Sequence, residues 1–268
     1  MLRSLLATIA GASIILSAGW AAAADEPAPA WPAPFGGAFS ANFTLATEYS
    51  QSGISQTQLN PAVQAGLDYR TSTLGAPFPL WLYASLWGSN IDFPSIGSGA
   101  EVQVLGGLKG RLLDRKLSID IGYVEHVYPG LVDPTGTGLD YGEINLNLAY
   151  DFGFAKLAGR LRYSGNGIAN SGISWNRRLM LGVPLPFLEV NDRISFDAYG
   201  SIGNEWVEKP LAAGLPTPEY WYWQFGIIAH LYGVDVNVAY TDTSIEPPGC
   251  QYTRYCSARV FAAITKVF

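Results

Sequence analysis

The chain is poor in charge, histidine and cysteine. Only 14% of its 268 residues are Asp, Glu, Lys or Arg, against roughly 25% in soluble domains. After its first two dozen residues it also lacks a run of 18 apolar residues. The best candidate, 76–88, is broken by Pro77 and Pro79, which excludes helical membrane spans there. The net charge is −6 and no basic stripe is present, so nucleic acid is not an expected partner. There are two histidines, His126 and His230, and neither Gly-x-Ser-x-Gly nor His-x-x-x-His occurs. Those absences leave little from which to build a hydrolytic or zinc-dependent site. An enzyme is not expected, nor is a cofactor or a bound metal.

What the chain does have is alternation. Phe39, Ala41, Phe43, Leu45, Thr47 and Tyr49 alternate with Ser40, Asn42, Thr44, Ala46, Glu48 and Ser50. In an extended strand these two sets face opposite sides. The pattern recurs and predicts twelve strands, centred on 38–50, 61–70, 80–89, 100–109, 117–127, 141–150, 154–163, 175–183, 194–203, 220–231, 234–242 and 258–268. Each is about nine to twelve residues long, which is what a tilted strand needs to cross a bilayer. The predicted fold is all-β: a transmembrane antiparallel up-and-down β-barrel of about 12 strands, spanning 38–268, in contact with the lipids of a bacterial outer membrane. A soluble sandwich with an aromatic core is the competing reading. Its solvent face would have to enclose more apolar surface than the regular charged face allows.

Residues 1–24 read as a signal peptide. Arg3 precedes a short apolar run, and Ala22-Ala23-Ala24 offers a cleavage site between Ala24 and Asp25. Residues 25–37 are rich in Pro and Ala and read as a stiff periplasmic linker. If the first strand runs outward, the tight connections near Asp151-Phe152-Gly153 and Tyr232-Gly233 fall on the periplasmic side. The longer ones (50–60, 90–99, 128–140, 164–174, 204–219 and 243–257) fall outside, the asymmetry of outer-membrane barrels. Cys250 and Cys256 lie in the last external loop. In an exported protein that spacing reads as a disulfide closing a small loop. A zinc site is the alternative, with no nearby histidine to support it.

Parity assigns the lumen. Glu48, Asp68, Glu101, Asp120 and Glu143 are the acidic candidates. Arg70, Lys156, Arg160, Arg162 and Arg177 are the basic ones. Strands four to six lean acidic, and strands seven and eight lean basic. Two readings follow: a transverse field across a narrow water-filled pore that passes small hydrophilic solutes or ions, or salt bridges that seal a structural or adhesive barrel acting through its external loops. His126 and His230 fall near opposite ends of the barrel and cannot share a site.

Several segments carry a resemblance. Gly53-Ile54-Ser55-Gln56, Trp87-Gly88-Ser89-Asn90, Glu125-His126-Val127-Tyr128-Pro129-Gly130, Asp140-Tyr141-Gly142-Glu143 and the final Lys266-Val267-Phe268 together resemble the TorF-type porins of Gram-negative bacteria. Glu125-His126 stands where tyrosines are expected of that family, and the loop with two cysteines departs from it. The resemblance implies an outer-membrane porin and supplies neither a solute nor catalytic residues. It also implies that the aromatic strand ending in Phe268 is presented to the barrel-assembly machinery.

Overall fold

The structure is a computed structural model and describes residues 33–75, 79–94, 96–250 and 253–268. The expected signal peptide, its Ala24/Asp25 cleavage site and most of the linker lie outside these residues. Twelve strands form the barrel: β1 (Ala38–Ala46), β2 (Ala62–Arg70), β3 (Leu80–Phe93), β4 (Gly97–Leu112), β5 (Leu117–Val127), β6 (Tyr141–Asp151), β7 (Lys156–Ser164), β8 (Ser174–Pro184), β9 (Ile194–Val207), β10 (Glu219–Leu231), β11 (Val234–Thr243) and β12 (Arg259–Val267). Each pairs antiparallel with its neighbours in sequence, and β12 closes on β1 with Asn42 opposite Val267 and Ala46 opposite Ala263. Closure matters because a spanning sheet cannot leave backbone N–H and C=O groups unpaired in hydrocarbon. The backbone of Phe268 extends the seam by exchanging two hydrogen bonds with Ala41.

Alternation holds around the ring. On β8, Ser174, Asn176, Arg178 and Met180 are buried, while Arg177, Leu179 and Leu181 are exposed. The outside is a belt of apolar residues such as Leu45, Leu67, Leu86, Ile121, Leu148, Leu179, Phe225 and Val238. Aromatic pairs mark both of its margins. Phe39 with Tyr69 (5.0 Å) and Tyr150 with Phe152 (4.7 Å) lie at the turn end, and Tyr163 with Trp175 (4.7 Å) lies at the loop end. Girdles of this kind sit at the two membrane interfaces. Leu179 is the middle residue of β8, so Leu179→Lys should lower the stability of the refolded protein in lipid vesicles by about 2–4 kcal/mol. Trp175→Lys, at the margin, should cost roughly 0–1 kcal/mol. Equal effects in urea unfolding would place the belt elsewhere.

Two of the expected boundaries are wrong in an instructive way. The predicted loop 90–99 is mostly strand, because β3 runs to Phe93 and β4 resumes at Gly97. Asn90, Asp92 and Pro94 signal a loop, yet Ile91 and Phe93 continue the inward alternation. Phe93 packs on Tyr128 (ring centroids 5.8 Å) from the neighbouring loop. The first strand, by contrast, stops at Ala46; Thr47 still donates its amide to the Ala262 carbonyl of β12 (2.9 Å), and residues 48–50 leave the wall.

At the loop end Cys250 and Cys256 form a disulfide with Cα atoms 6.1 Å apart, within the usual range for such a bridge. Both pack against Tyr220, Tyr222 and Ile245. In loop 128–140, the Asp133 carboxylate accepts the Thr135 hydroxyl (2.7 Å) and the amides of Thr135 and Thr137 (both 2.8 Å). These bonds, the Thr135 hydroxyl first among them, hold its carboxyl below the usual range.

Candidate functional site

The segment between β1 and β2 shapes the lumen. Ser50–Gln51 and Ile54–Ser55 form a miniature hairpin whose turn residues, Ser52 (φ 48°) and Gly53 (φ 80°), are both left-handed. Such a two-residue turn favours glycine at its second position. Here glycine is needed for a second reason, since a Cβ on Gly53 would come within 2.4 Å of Thr243 Cγ2. The hairpin lies across the loop end of the barrel and is tied to both walls. On one side the Ser52 hydroxyl donates to Glu205 Oε2 (3.2 Å), Asn176 Nδ2 donates to Ser52 Oγ (3.0 Å), and Arg259 Nη1 donates to the Gly53 carbonyl (3.0 Å). On the other, the Asp92 amide donates to the Gln56 carbonyl (2.8 Å), and Tyr49 meets Trp87 edge-on at 5.5 Å. The cysteine loop joins it through the Ser55 amide on the Tyr255 carbonyl (2.8 Å).

Beneath the hairpin the acidic and basic sectors meet rather than face each other across open water. On the acidic side, His126 is 0% exposed and faces a carboxylate at each ring nitrogen: Nδ1 lies 2.8 Å from Glu101 Oε1 and Nε2 lies 3.1 Å from Glu143 Oε2. The ring stacks on Tyr141 at 4.4 Å. The same Glu143 oxygen accepts from Arg162 Nη1 (3.2 Å), and Gln103 Nε2 donates to Glu101 Oε1 (2.8 Å). On the basic side, Arg160 Nη2 donates to Asn176 Oδ1 (3.1 Å), which also accepts the Tyr222 hydroxyl (3.1 Å). Tyr222 can reach so far because its ring lies flat over Gly203, where a Cβ would meet it at 2.2 Å. Arg178 Nη2 donates to Ser201 Oγ (2.7 Å).

The half of the lumen toward the short turns is more open. Lys109 sits 3.8 Å from Asp120 and keeps 21% of its side chain exposed. The Tyr83 hydroxyl and Asn147 also donate to Asp120. Asp68 accepts from Ser85 and Asn42. Arg70 and Lys156 line the same end, both partly exposed. His230 repeats the arrangement of His126, with Asp235 at 2.7 Å and Asp197 at 3.2 Å. Glu48, near the loop end, accepts from Arg259 Nε at 2.6 Å.

Nine of the ten charged residues expected in the lumen therefore point into it. Arg177 does not: it is exposed on the outer face, donates to Asn204 Oδ1 (3.0 Å) and lies 5.9 Å from the Trp175 ring. Its neighbour Arg178 occupies the inward position. A one-residue slip moves every side chain of a strand to the other face. The parity of Leu179 and Leu181, which belong with lipid, is the signal in the sequence that would place Arg178 inside instead. Among the described residues, no cluster of His, Cys, Asp and Glu could hold a metal ion.

No curated protein matches the sequence. Solved structures match by fold. One, from work on the in-meso crystallization of membrane proteins, has a TM-score of 0.51 at 7% identity, covering 85% of this chain and 83% of the other. A NanC porin structure follows at 0.47 and 12%, covering 86% and 98%. An outer membrane channel from Pseudomonas putida F1 gives 0.46 and 12%, covering 87% and 94%. A closed antiparallel barrel, apolar outside and charged inside, with long connections at one end, places the protein in the bacterial outer membrane. A family model described as a bacterial protein of unknown function, Gcw_chp, matches residues 32–268, and the chain belongs to that family.

Proposed function

We propose that the barrel is a porin-like channel for passive diffusion of small hydrophilic solutes or ions, narrowed at its external mouth by the 47–61 segment. The observation that carries this reading is the lumen itself. It holds Glu101, Asp120, Glu143, Arg160, Arg162 and Arg178 on neighbouring strands. A barrel serving only as a membrane anchor gains nothing from ionised groups, which are costly to remove from water. The resemblance to TorF-type porins supports the same reading, and no catalytic role is assigned to any residue. The expected partners are outer-membrane lipids, the diffusing solutes and, during biogenesis, the barrel-assembly machinery acting on the Phe268 strand.

A second reading has its own support. Tyr49, Thr57, Glu101, Tyr128, Leu139 and His126 are almost completely buried, which fits a sealed barrel acting through its external loops. Single-channel recording of the refolded mature protein in a planar bilayer separates the two. Discrete, reproducible steps are expected. Replacing Arg160 and Arg162 together by Gln should then shift the reversal potential in a salt gradient toward cation selectivity. A folded, heat-modifiable barrel that never conducts would decide for the sealed form.

A further inference from the structure

The basic sector contains a feature that neither the channel reading nor the fold requires. Arg160 on β7 stands directly opposite Arg178 on β8 in the strand register. Arg162 lies two residues along β7, on the same inward face. Like charges directly opposite one another destabilise a sheet, and a guanidinium taken out of water needs a counter-charge. The carboxylates nearby are already engaged. Glu143 Oε2 accepts from Arg162 and faces His126, and Glu205 Oε2 accepts from Asn176 and Ser52. Arg160 reaches only the neutral amide oxygen of Asn176, and among the described residues it forms no ion pair. Its Nε–H is buried and has no hydrogen-bond partner, and the same holds for Nε of Arg162. Arg160 and Arg162 nevertheless keep partial exposure on the inward face of the barrel.

We propose that Arg160, with Arg162 and Arg178 around it, forms a binding site for a small oxyanion within the lumen. The occupant is a group with two or more charged oxygens, of carboxylate or phosphate type. Such a group would accept the partnerless Nε–H of Arg160 and that of Arg162, in the fork geometry that guanidinium presents. This deepens the channel reading by naming the class of solute that would pause in the lumen. The more exposed half of the lumen, lined by Lys109, Lys156 and Arg70, gives the approach from the turn side.

The test uses the full mature barrel, refolded in detergent and followed by loss of its heat-resistant form. Inorganic phosphate and acetate are titrated separately against chloride at matched ionic strength. A ligand that binds only the folded state raises its melting temperature saturably, so a saturating rise of a few degrees is expected with one or both oxyanions and none with chloride. Phosphate acting alone would assign a tetrahedral occupant, and acetate acting alone a carboxylate. Arg160→Gln should abolish the rise, and Arg160→Lys, which keeps the charge but loses the fork, should weaken it. An equal rise with all three salts overturns the site, as does a rise that survives Arg160→Gln. Should neither variant fold, saturation in the unaltered protein against chloride still decides. Bilayer recordings on the same preparations keep the two readings apart. Conductance without oxyanion protection rejects the site and leaves the channel, whereas protection without conductance rejects the channel and leaves the site.

Discussion

Replacing residues 50–58 by a short Gly-Ser turn is expected to raise single-channel conductance several-fold. Ala46 and Ala62 are already opposite each other in the wall, so a tight hairpin can join β1 to β2 without disturbing any barrel register. What the replacement removes is the strap across the mouth. It eliminates the Ser52 bonds to Glu205 and Asn176, the Gly53 carbonyl on Arg259, and the Gln56 carbonyl on Asp92. Conductance through a pore follows its narrowest, least hydrated section, and this segment is the only connection seen bridging both walls among the described residues. A shortened variant that folds and conducts no better than the parent would locate the constriction elsewhere. One that folds and still conducts nothing would establish a sealed barrel. Selectivity should stay with the arginines below, since none of them belongs to the deleted segment.

The second large effect is on stability. His126→Ala should destabilise the barrel by about 3–5 kcal/mol, the range for breaking a buried ion pair from one side. Both ring nitrogens face carboxylates, and only the doubly protonated ring donates to both. Its removal leaves Glu101 and Glu143 facing an empty space, with Arg162 as the remaining counter-charge for Glu143. Glu101 is 0% exposed and its second oxygen already lacks a partner. His126→Phe tests the cause. It keeps the stacked ring on Tyr141 but not the charge, so it should fare little better than Ala. Combining His126→Phe with Glu101→Gln should recover much of the loss. Urea midpoints of the refolded protein in detergent provide the measurement. Equal midpoints for His126→Phe and the parent would show that the ring acts by packing alone.

The wall of this barrel was legible in the sequence because a spanning strand has a strict period of two and lipid punishes exceptions. Twelve alternating segments were enough to place all twelve strands. The lumen was legible only as a list of inward positions. Which of them touch depends on register between strands, and no local pattern reports register. Thus Glu101, His126 and Glu143 could be assigned inward from β4, β5 and β6 separately, but not recognised as one network. The Arg177-Arg178 pair shows the limit most sharply. Two adjacent identical residues give no hint of which faces inward, and only the leucines that follow decide it. The inward hairpin was missed because its residues, Ser50 to Ser55, read like an ordinary polar loop. Its course is set by contacts with β8, β9 and β12, all distant in sequence.

The seam between β12 and β1 has a consequence in time. Thr44 and Thr265 share a hydrogen bond across 221 positions of sequence, and every other pair of neighbouring strands is local. Eleven hairpin-like contacts can therefore form progressively, each over a short span, whereas the twelfth must wait for both ends of the sheet to meet. Until then β1 and β12 expose unsatisfied backbone along their whole length, and an incomplete barrel is a curved sheet with two adhesive margins. Substitutions along this seam should slow insertion more than they weaken the finished protein.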